Sequence, residues 1–376
     1  MKDRVSIPFK KLIEACDFYG YDLHVLETKF PAIKKASEEH PASLTIKDVE
    51  KISRLTGYPF GYFFIEESPQ KIEVIPDLRT PNSEFRTKIS RQLQEQMDFC
   101  QARVDWFHNY AISEQFEKVA CVNSVHSDCS PEKTAKVYRE KLQIQSLLAT
   151  LRKEKKNVYA YFRELRERIE SIGILTEASG IAGNNTHHGF CVEEFRGFAI
   201  TDDYAPLIFV NKKDVPEAQV FTLIHEFAHI IRGESGISDA NIGAENWCNR
   251  FAAEFLVPSE EMPTKVANLD EIDRLAKFYF VSRQVILLRA KRLNIIQPVL
   301  FDKLWEEINK QSHTRSQKQG GGNAIKNLGD RLSKRFSFAV IESARSGKTL
   351  FRDAFALLGA NGSTFWKLAE HLEHNS

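Results

Sequence analysis

Apolar residues recur at helical spacing through residues 1–66, as in FKKLIEACDFYG, DLHVLETKF and TIKDVEKISRLTG. This pattern predicts short helices that are separated by turns at glycine and proline. The turn positions are Gly20, Pro31, Pro41 and Gly57. The next segment, PFGYFFIEE, is typical of a strand, and the proline-punctuated IEVIPDLRTP is expected to be extended.

Longer helical patterns follow this region. From Asn82 to about Glu117, a largely polar segment carries apolar residues at helical spacing, which predicts one long helix. The apolar positions are Leu93, Met97, Val104 and Phe107. A second helical stretch is predicted over residues 131–172.

The pattern changes after residue 172. GILTEA, FRGFAITD and PLIFVNK are short runs of β-branched or aromatic residues, which predict strands. A helix is then expected to begin with Asp214 as its cap, Pro216 in its first turn and Glu217 three residues after the cap. This helix contains FTLIHEFAHIIRG and is expected to end near Gly233.

The rest of the chain is predicted to be helical. One helix runs from about Ile242 to Leu256 before Pro258, and further helices reach about Lys310. The polar, glycine-rich QSHTRSQKQGGGN predicts a linker. A helical tail follows from about Ala324 to His371.

Composition and charge exclude several classes of protein. The 376 residues allow two or three domains, and a net charge of +1 gives no overall attraction to nucleic acid or an acidic membrane. No apolar run approaches the roughly 20 residues that span a bilayer, and the first residues lack the apolar core of a signal peptide. The six cysteines are scattered without a CxxC pair. We therefore expect a soluble protein of the reducing cytoplasm, with no membrane partner.

The pattern HEFAH carries the candidate chemistry. His225 and His229 are four residues apart, so both imidazoles project from one face of the helix and can bind one Zn²⁺ ion. Glu226 lies beside them and can act as general base toward a water molecule. The alternative is a pair of packed histidines, but unliganded histidines would be costly in so apolar a frame.

A zinc site of this kind needs a third protein ligand, and the next helix, ENWCNRFAAEFLVP, offers candidates. Glu245 leads an apolar stripe through Cys248, where a carboxylate needs a partner such as a metal. Its alternative role is to stabilise the helix dipole. Cys248 could ligate as a thiolate, although a lone cysteine is usually core. We expect Glu254, on another face, to be a surface charge.

Other polar residues lie near these motifs in the sequence. Tyr204 and Arg250 could each polarise a scissile carbonyl, and the sequence does not rank them. The pair His187-His188 is predicted to lie in a polar loop ahead of a strand, with substrate binding or oxyanion stabilisation as its alternative role.

These motifs resemble the ImmA/IrrE family of metallo-endopeptidases. In that family an RFTLAHELGH-type helix precedes a helix of the pattern E-x-x-x-N-x-F-A-A-x-L-x-P. The chain matches with FTLIHEFAH and, with the leucine and the proline each shifted by one place, with Glu245, Asn249, Phe251, Ala252, Ala253, Leu256 and Pro258. FRGFAITDDYAP and PLIFVNK also fit. The piece GYFFIEESPQKIEVIPDLRT is similar to the junction between an XRE-type helix-turn-helix and the peptidase.

The resemblance implies a domain organisation. Residues 151–310 would form a zincin-like metallopeptidase domain of the α+β class. Residues 1–80 would form a degenerate XRE-like helix-turn-helix region, and residues 81–150 a helical connector. Residues 324–376 would form a helical C-terminal region.

The resemblance also implies a site and a function. His225, His229 and Glu245 would bind zinc, with manganese as the alternative metal, and Glu226 would be the catalytic base. The enzyme would cleave a specific protein partner, such as a transcriptional repressor or a nearby-encoded toxin, in a stress, mobile-element or toxin–antitoxin system. The strand GFAI or LIFV could be the edge on which an extended peptide docks.

A competing hypothesis is an antitoxin-like or DNA-binding regulator whose metal site is structural. A fourth protein ligand, for instance Cys248, would favour this reading. Residues 30–44, where a recognition helix should lie, are interrupted by Pro41 and carry a Glu-Glu pair. A second basic helix pair, DEIDRLAKFYFVSRQVILLRAKRL, is expected to pack against the peptidase rather than to bind DNA.

Overall fold

The computed structural model describes residues 4–18, 21–67, 90–126, 128–183, 189–234, 242–312 and 324–374. The chain divides into two compact units, one of residues 1–74 and 83–98 and one of residues 75–82 and 99–376. Several predicted features lie outside the described residues. They are the turn at Gly20, the extended segment IEVIPDLRTP, residues 82–89 of the long helix, most of the linker QSHTRSQKQGGGN, and the pair His187-His188.

The first unit contains a short pair of strands that the hydrophobic pattern did not reveal. Strand β1 (Arg4–Ile7) pairs antiparallel with β2 (Ala42–Thr45). The helices predicted for this region are confirmed as α1 (Phe9–Phe18), α2 (Leu23–Lys29) and α3 (Ile46–Thr56). Thr45 and Asp48 form a capping box at the start of α3, which ends at Gly57 in the left-handed conformation.

The strand expected at PFGYFFIEE is wrong, because Phe60–Phe63 form a 3-10 turn after Pro59. Tyr58 and Phe63 are both buried in the core of the first unit, with ring centroids 4.9 Å apart. Residues five positions apart lie on opposite faces of a strand, so a strand could not bury both rings together. The turn brings the two rings to the same side.

A long helix and three shorter ones precede the main sheet. The long helix α4 (Arg91–Ser113) buries Leu93, Met97, Val104 and Phe107, as predicted. It ends four residues before the predicted end at Glu117, since Gln115 is left-handed with φ of 57°. The stretch 131–172 is helical but interrupted, and consists of α5 (Pro131–Lys141), α6 (Ile144–Lys153) and α7 (Val158–Glu170). Gln143 in a left-handed conformation and the Asn157 cap cause the two breaks. Neither α4 nor any other helix among the described residues is long and apolar enough to cross a membrane.

The three predicted strands are confirmed as β3 (Leu175–Ser179), β4 (Gly197–Ile200) and β5 (Leu207–Asn211). They form one sheet in the order β3-β5-β4. β5 is parallel to β3, with Leu175 opposite Leu207, and antiparallel to β4, with Gly197 opposite Val210. All residues of these strands are buried, which explains their largely apolar composition.

Helix α8 (Pro216–Arg232) packs against β4 and β5 and carries the HEFAH sequence. The predicted cap is wrong by one residue, since Val215 occupies the cap position without a side-chain hydrogen bond. Asp214 instead accepts a bond from the Val215 amide through Oδ1. The predicted end is confirmed, because Gly233 follows α8 with φ of 67°.

The helices after α8 are α9 (Ile242–Leu256), α10 (Leu269–Tyr279), α11 (Arg283–Arg292) and α12 (Pro298–Ser312). The expectation of a surface charge at Glu254 is wrong, because this side chain is fully buried. Its carboxylate pairs with Arg289 and accepts bonds of 3.0 Å from the amide and hydroxyl of Ser259. Arg289 of the basic helix pair is therefore used inside the protein, as expected for packing.

The helical tail consists of α13 (Ala324–Arg331), α14 (Lys334–Arg345), α15 (Phe351–Leu358) and α16 (Gly362–Glu373), as predicted. Arg166 of α7 connects this tail to β3. Its guanidinium donates to the carbonyls of Thr176 at 2.7 Å, Asp330 at 2.6 Å and Leu332 at 3.2 Å. The tail is thus hydrogen-bonded directly to the sheet that supports α8.

We expect Arg166→Met to lower the free energy of unfolding by roughly 2–4 kcal/mol, because several largely buried carbonyls lose their donor. Urea unfolding of the full chain measures this change. Arg163→Met is the control, since Arg163 lies on the same helix with an exposed side chain. Equal destabilisation by the two variants would contradict the role assigned to Arg166.

Candidate metal centre

The two histidines of α8 lie at the middle of a buried helix. His225 is completely buried and His229 is 5 % exposed. Their Nε2 atoms are 2.9 Å apart, because residues four apart stack on one helix face. The surrounding residues of α8, including Ile224, Phe227 and Ile230, are fully buried. The helix therefore presents two imidazole nitrogens toward a single point.

Glu245, in the first turn of α9, brings a carboxylate to the same point. Its Oε1 atom is 3.2 Å from Nε2 of His229, and its Oε2 atom is 3.6 Å from Nε2 of His225. This position follows from the packing of α9 against α8. The structure therefore brings together the three residues that the sequence suggested as ligands.

The spacing of these donor atoms fits a zinc ion. With Zn–N bonds of about 2.0–2.1 Å, tetrahedral geometry places two ligand atoms roughly 3.3 Å apart. The observed separations of 2.9, 3.2 and 3.6 Å lie around this value. Three protein donors leave one tetrahedral position for water or substrate, which is the arrangement of catalytic rather than structural zinc sites.

Cys248 lies on the other side of His229. Donor atoms of His225, His229 and Cys248 lie within 4.8 Å of one another, so a His-His-Cys set must be weighed as well. The Cys248 sulfur, however, is 3.7 Å from Nδ1 of His229, the ring nitrogen that points away from Nε2. One imidazole cannot use both nitrogens for the same ion. We therefore favour Glu245 as third ligand and Cys248 as a hydrogen-bond partner of His229.

The electrostatic surroundings of His229 suit a cation. Burial lowers its pKa, but the interactions with Cys248, Glu234 and Glu245 outweigh burial and raise the pKa well above its usual value. For Glu234 the directions are reversed. Burial raises the pKa of its carboxyl group, but the interactions with His229 and Arg232 are stronger and lower that pKa to about 2. Without a metal, this cluster favours a protonated imidazole. A bound metal ion would supply the same positive charge.

Glu226 lies next to the histidines and beneath strand β4. It is 3 % exposed. A Cβ atom at Gly197 would lie 3.3 Å from Cγ of Glu226, 2.5 Å from Thr222 and 2.8 Å from the Phe209 carbonyl. Only glycine permits this approach of strand and helix. The carboxylate expected to act as base is therefore held beside an edge strand of the described sheet.

The structure also bears on the predicted docking strand LIFV and on the two predicted carbonyl-polarising residues, Arg250 and Tyr204. β5, which contains LIFV, is paired on both sides, so the expectation that LIFV could be a docking edge is wrong. Arg250 forms two hydrogen bonds, of 2.9 and 3.0 Å, with Glu132, which neutralises its charge. Tyr204 packs edge-on against His108, with centroids 5.2 Å apart. Neither Arg250 nor Tyr204 gains support as a carbonyl-polarising group.

Two residues that shape the site were not identified from the sequence. Glu234, immediately after the terminal glycine of α8, places Oε2 3.7 Å from Nδ1 of His229. In the sequence, Glu234 is marked only by its position directly after Gly233, the residue that ends α8. Gly197 had a clearer signal, because a glycine inside a strand marks a close backbone approach.

Comparison with known families bears on this geometry. Residues 176–291 match the model described as IrrE N-terminal-like domain, a model of M78 peptidases. This IrrE-like segment extends from β3 to α11 and contains all four candidate site residues. The match supports a metallopeptidase-type function and agrees with the predicted zincin-like α+β fold flanked by helical regions. Residues 332–371 match a domain of unknown function, and no curated protein matches the chain.

We expect Gly197→Ala to lower the free energy of unfolding by about 1–3 kcal/mol, because the added methyl overpacks the contact between β4 and α8. Thermal or urea unfolding measures this loss. Gly61→Ala is the control, since a Cβ atom there would meet nothing within 4 Å. Unchanged stability of Gly197→Ala would show that β4 does not lie this close to Glu226.

Proposed function

We propose that the protein is a zinc-dependent endopeptidase that cleaves a specific protein partner. The observation that carries this proposal is the convergence of His225, His229 and Glu245 within 2.9–3.6 Å in the IrrE-like segment. Glu226 lies on the same helix beside them, in the order that HExxH peptidases use. The donor set is compatible with manganese as the alternative metal.

The proposed chemistry assigns a task to each residue. His225, His229 and Glu245 would hold the metal, and Glu226 would accept a proton from the attacking water and pass it to the leaving amine. When bound, zinc would supply Lewis acidity for the scissile carbonyl and lower the pKa of water. The burial of Glu226 keeps bulk solvent away from this proton transfer.

The burial of the site favours an extended polypeptide as substrate. Both histidines and Glu226 are at most 5 % exposed, so a folded surface could not reach them. Strand β4 pairs with β5 on one side only among the described residues. An unfolded segment could add to the other side by backbone hydrogen bonds. Such a requirement would limit cleavage to partners that offer a suitable extended segment.

The partner and its context rest on the resemblance rather than on geometry. A transcriptional repressor or a nearby-encoded toxin of a stress, mobile-element or defence system is the substrate class that we propose. A cytoplasmic location is proposed because all six cysteines are free thiols. The proposed organisation remains a region at 1–80, a connector at 81–150, the peptidase at 151–310 and a tail at 324–376.

DNA binding by the N-terminal region is not favoured. Residues 30–44 contain a 3-10 turn, Ile33–Lys35, and strand β2, with no α-helix. The resemblance places the recognition helix, which would enter the major groove, in this segment. The regulator hypothesis also expected a fourth ligand in Cys248, and its sulfur faces the opposite nitrogen of His229.

Glu226→Gln is expected to lower cleavage at least about 100-fold, because an amide cannot accept the proton from water. The measurement compares new N-terminal peptides in cells that produce the wild type or the variant. We expect a small set of new termini in the wild type that is absent from the variant. Glu217→Gln is the matched control, since Glu217 lies in the first turn of the same helix, away from the histidines. The same termini in wild type and Glu226→Gln would contradict the mechanism.

A further inference from the structure

A cavity of about 600 Å³ lies between the C-terminal half of α4 and helices α14 and α16. Its walls include the rings of Phe107, Tyr110, Phe116 and Phe338, together with the side chain of Arg335. None of these residues contributes to the metal centre. The volume is typical of small-molecule sites, which span about 300–1,000 Å³.

Arg335 is held in this cavity mainly by aromatic rings. Its guanidinium carbon is 5.7 Å from the ring centroid of Phe107 and 5.8 Å from that of Phe116. Its Nε atom is buried without a hydrogen-bond acceptor among the described residues. Among the residues that the structure describes, no carboxylate oxygen lies within 4.0 Å of the guanidinium nitrogens of Arg335. This half-buried cation therefore has no direct ion pair among the described residues.

The neighbouring charges make no direct ion pair with this guanidinium. Glu170 acts on Arg335 electrostatically, but it acts on Arg166 as well. Its oxygens accept bonds from the Thr176 hydroxyl at 2.6 Å and the Arg335 backbone amide at 3.3 Å, and not from the guanidinium. At the cavity rim, Arg345 is already paired with Glu373. The guanidinium of Arg335 is thus the cation that this cavity offers to a ligand.

We propose that this cavity binds a small aromatic carboxylate. Its ring would pack among the aromatic walls, whose preference for offset or edge-on contacts suits a planar partner. Its carboxylate would pair with the Arg335 guanidinium, whose planar fork matches a carboxylate in geometry and charge. The site is independent of the proposed peptidase activity.

The charge balance favours a monoanion over a phosphate ester. A phosphate monoester carries about −1.5 to −2 charges near neutral pH and would need more than one cation. Glu342 and Glu373 also line the cavity, and their repulsion grows with the charge of the ligand, which disfavours a dianion more than a monoanion. A single carboxylate matches the one positive charge of the Arg335 guanidinium.

Isothermal titration calorimetry with the full chain tests this proposal. The probe is 2-naphthoate, and 2-naphthalenemethanol is its uncharged counterpart. We expect the wild type to bind 2-naphthoate at least about tenfold more tightly, a difference of about 1.4 kcal/mol. Arg335→Gln should remove this preference. The variant loses two contacts with aromatic rings but no acceptor of Nε, so we expect the melting temperature to fall by only a few degrees. Arg352→Gln is the control, since the Arg352 side chain is 85 % exposed and outside the cavity.

A second variant keeps the test decisive if Arg335→Gln does not fold. Phe338→Ala removes a partly exposed wall ring and should weaken the binding of both naphthalene probes. Equal affinity for the two probes, or equal 2-naphthoate binding by wild type and Arg335→Gln, would overturn the proposal. So would the absence of 2-naphthoate binding by the wild type. Dimerisation that Arg335→Gln abolishes would assign the cavity to a second copy of the chain instead, and would also overturn it.

Discussion

The central constraint in this protein is the burial of two imidazoles and a carboxylate within one apolar helix. Polar groups in such a place must find partners, or burial costs several kcal/mol. The structure meets this requirement with elements that lie far apart in the sequence. Helix α9 brings Glu245 to the Nε2 side of the histidines, and Cys248 to the Nδ1 side of His229. Strand β4 approaches closely enough to require glycine at position 197.

The C-terminal helices contribute to the position of the same sheet. Arg166 connects β3 to the end of α13, and Arg103 of α4 pairs with Glu177 of β3 and donates to the Leu357 carbonyl. Arg166 and Arg103 each bond to the IrrE-like segment and to the tail, so these two buried side chains link the two parts of the chain. The tail is therefore part of the framework that supports α8, and the aromatic cavity lies within this framework.

Local sequence patterns correctly predicted the features that a single helix or strand determines. The histidine spacing follows from helical periodicity, and the three strands of the main sheet follow from apolar runs. The sequence did not predict features that depend on contacts with an element distant along the chain. Glu254 is buried because Arg289 of α11, 35 positions later, packs on the second face of α9. The cap of α8 is Val215 and not Asp214, because the Asp214 carboxylate accepts its bond from the adjacent Val215 amide. Phe63 does not continue a strand, because its ring packs against that of Tyr58 in the core of the first unit.

The metal content of the purified protein tests the central claim most directly. Plasma mass spectrometry would compare the wild type with Glu226→Gln, Glu245→Ala and Cys248→Ser, all prepared without chelator. We expect about one zinc ion per chain in the wild type, Glu226→Gln and Cys248→Ser, and much less in Glu245→Ala. Retention of zinc in Glu245→Ala with its loss in Cys248→Ser would contradict the proposed ligand set. Absence of metal from every sample would show that the histidines pack and do not bind.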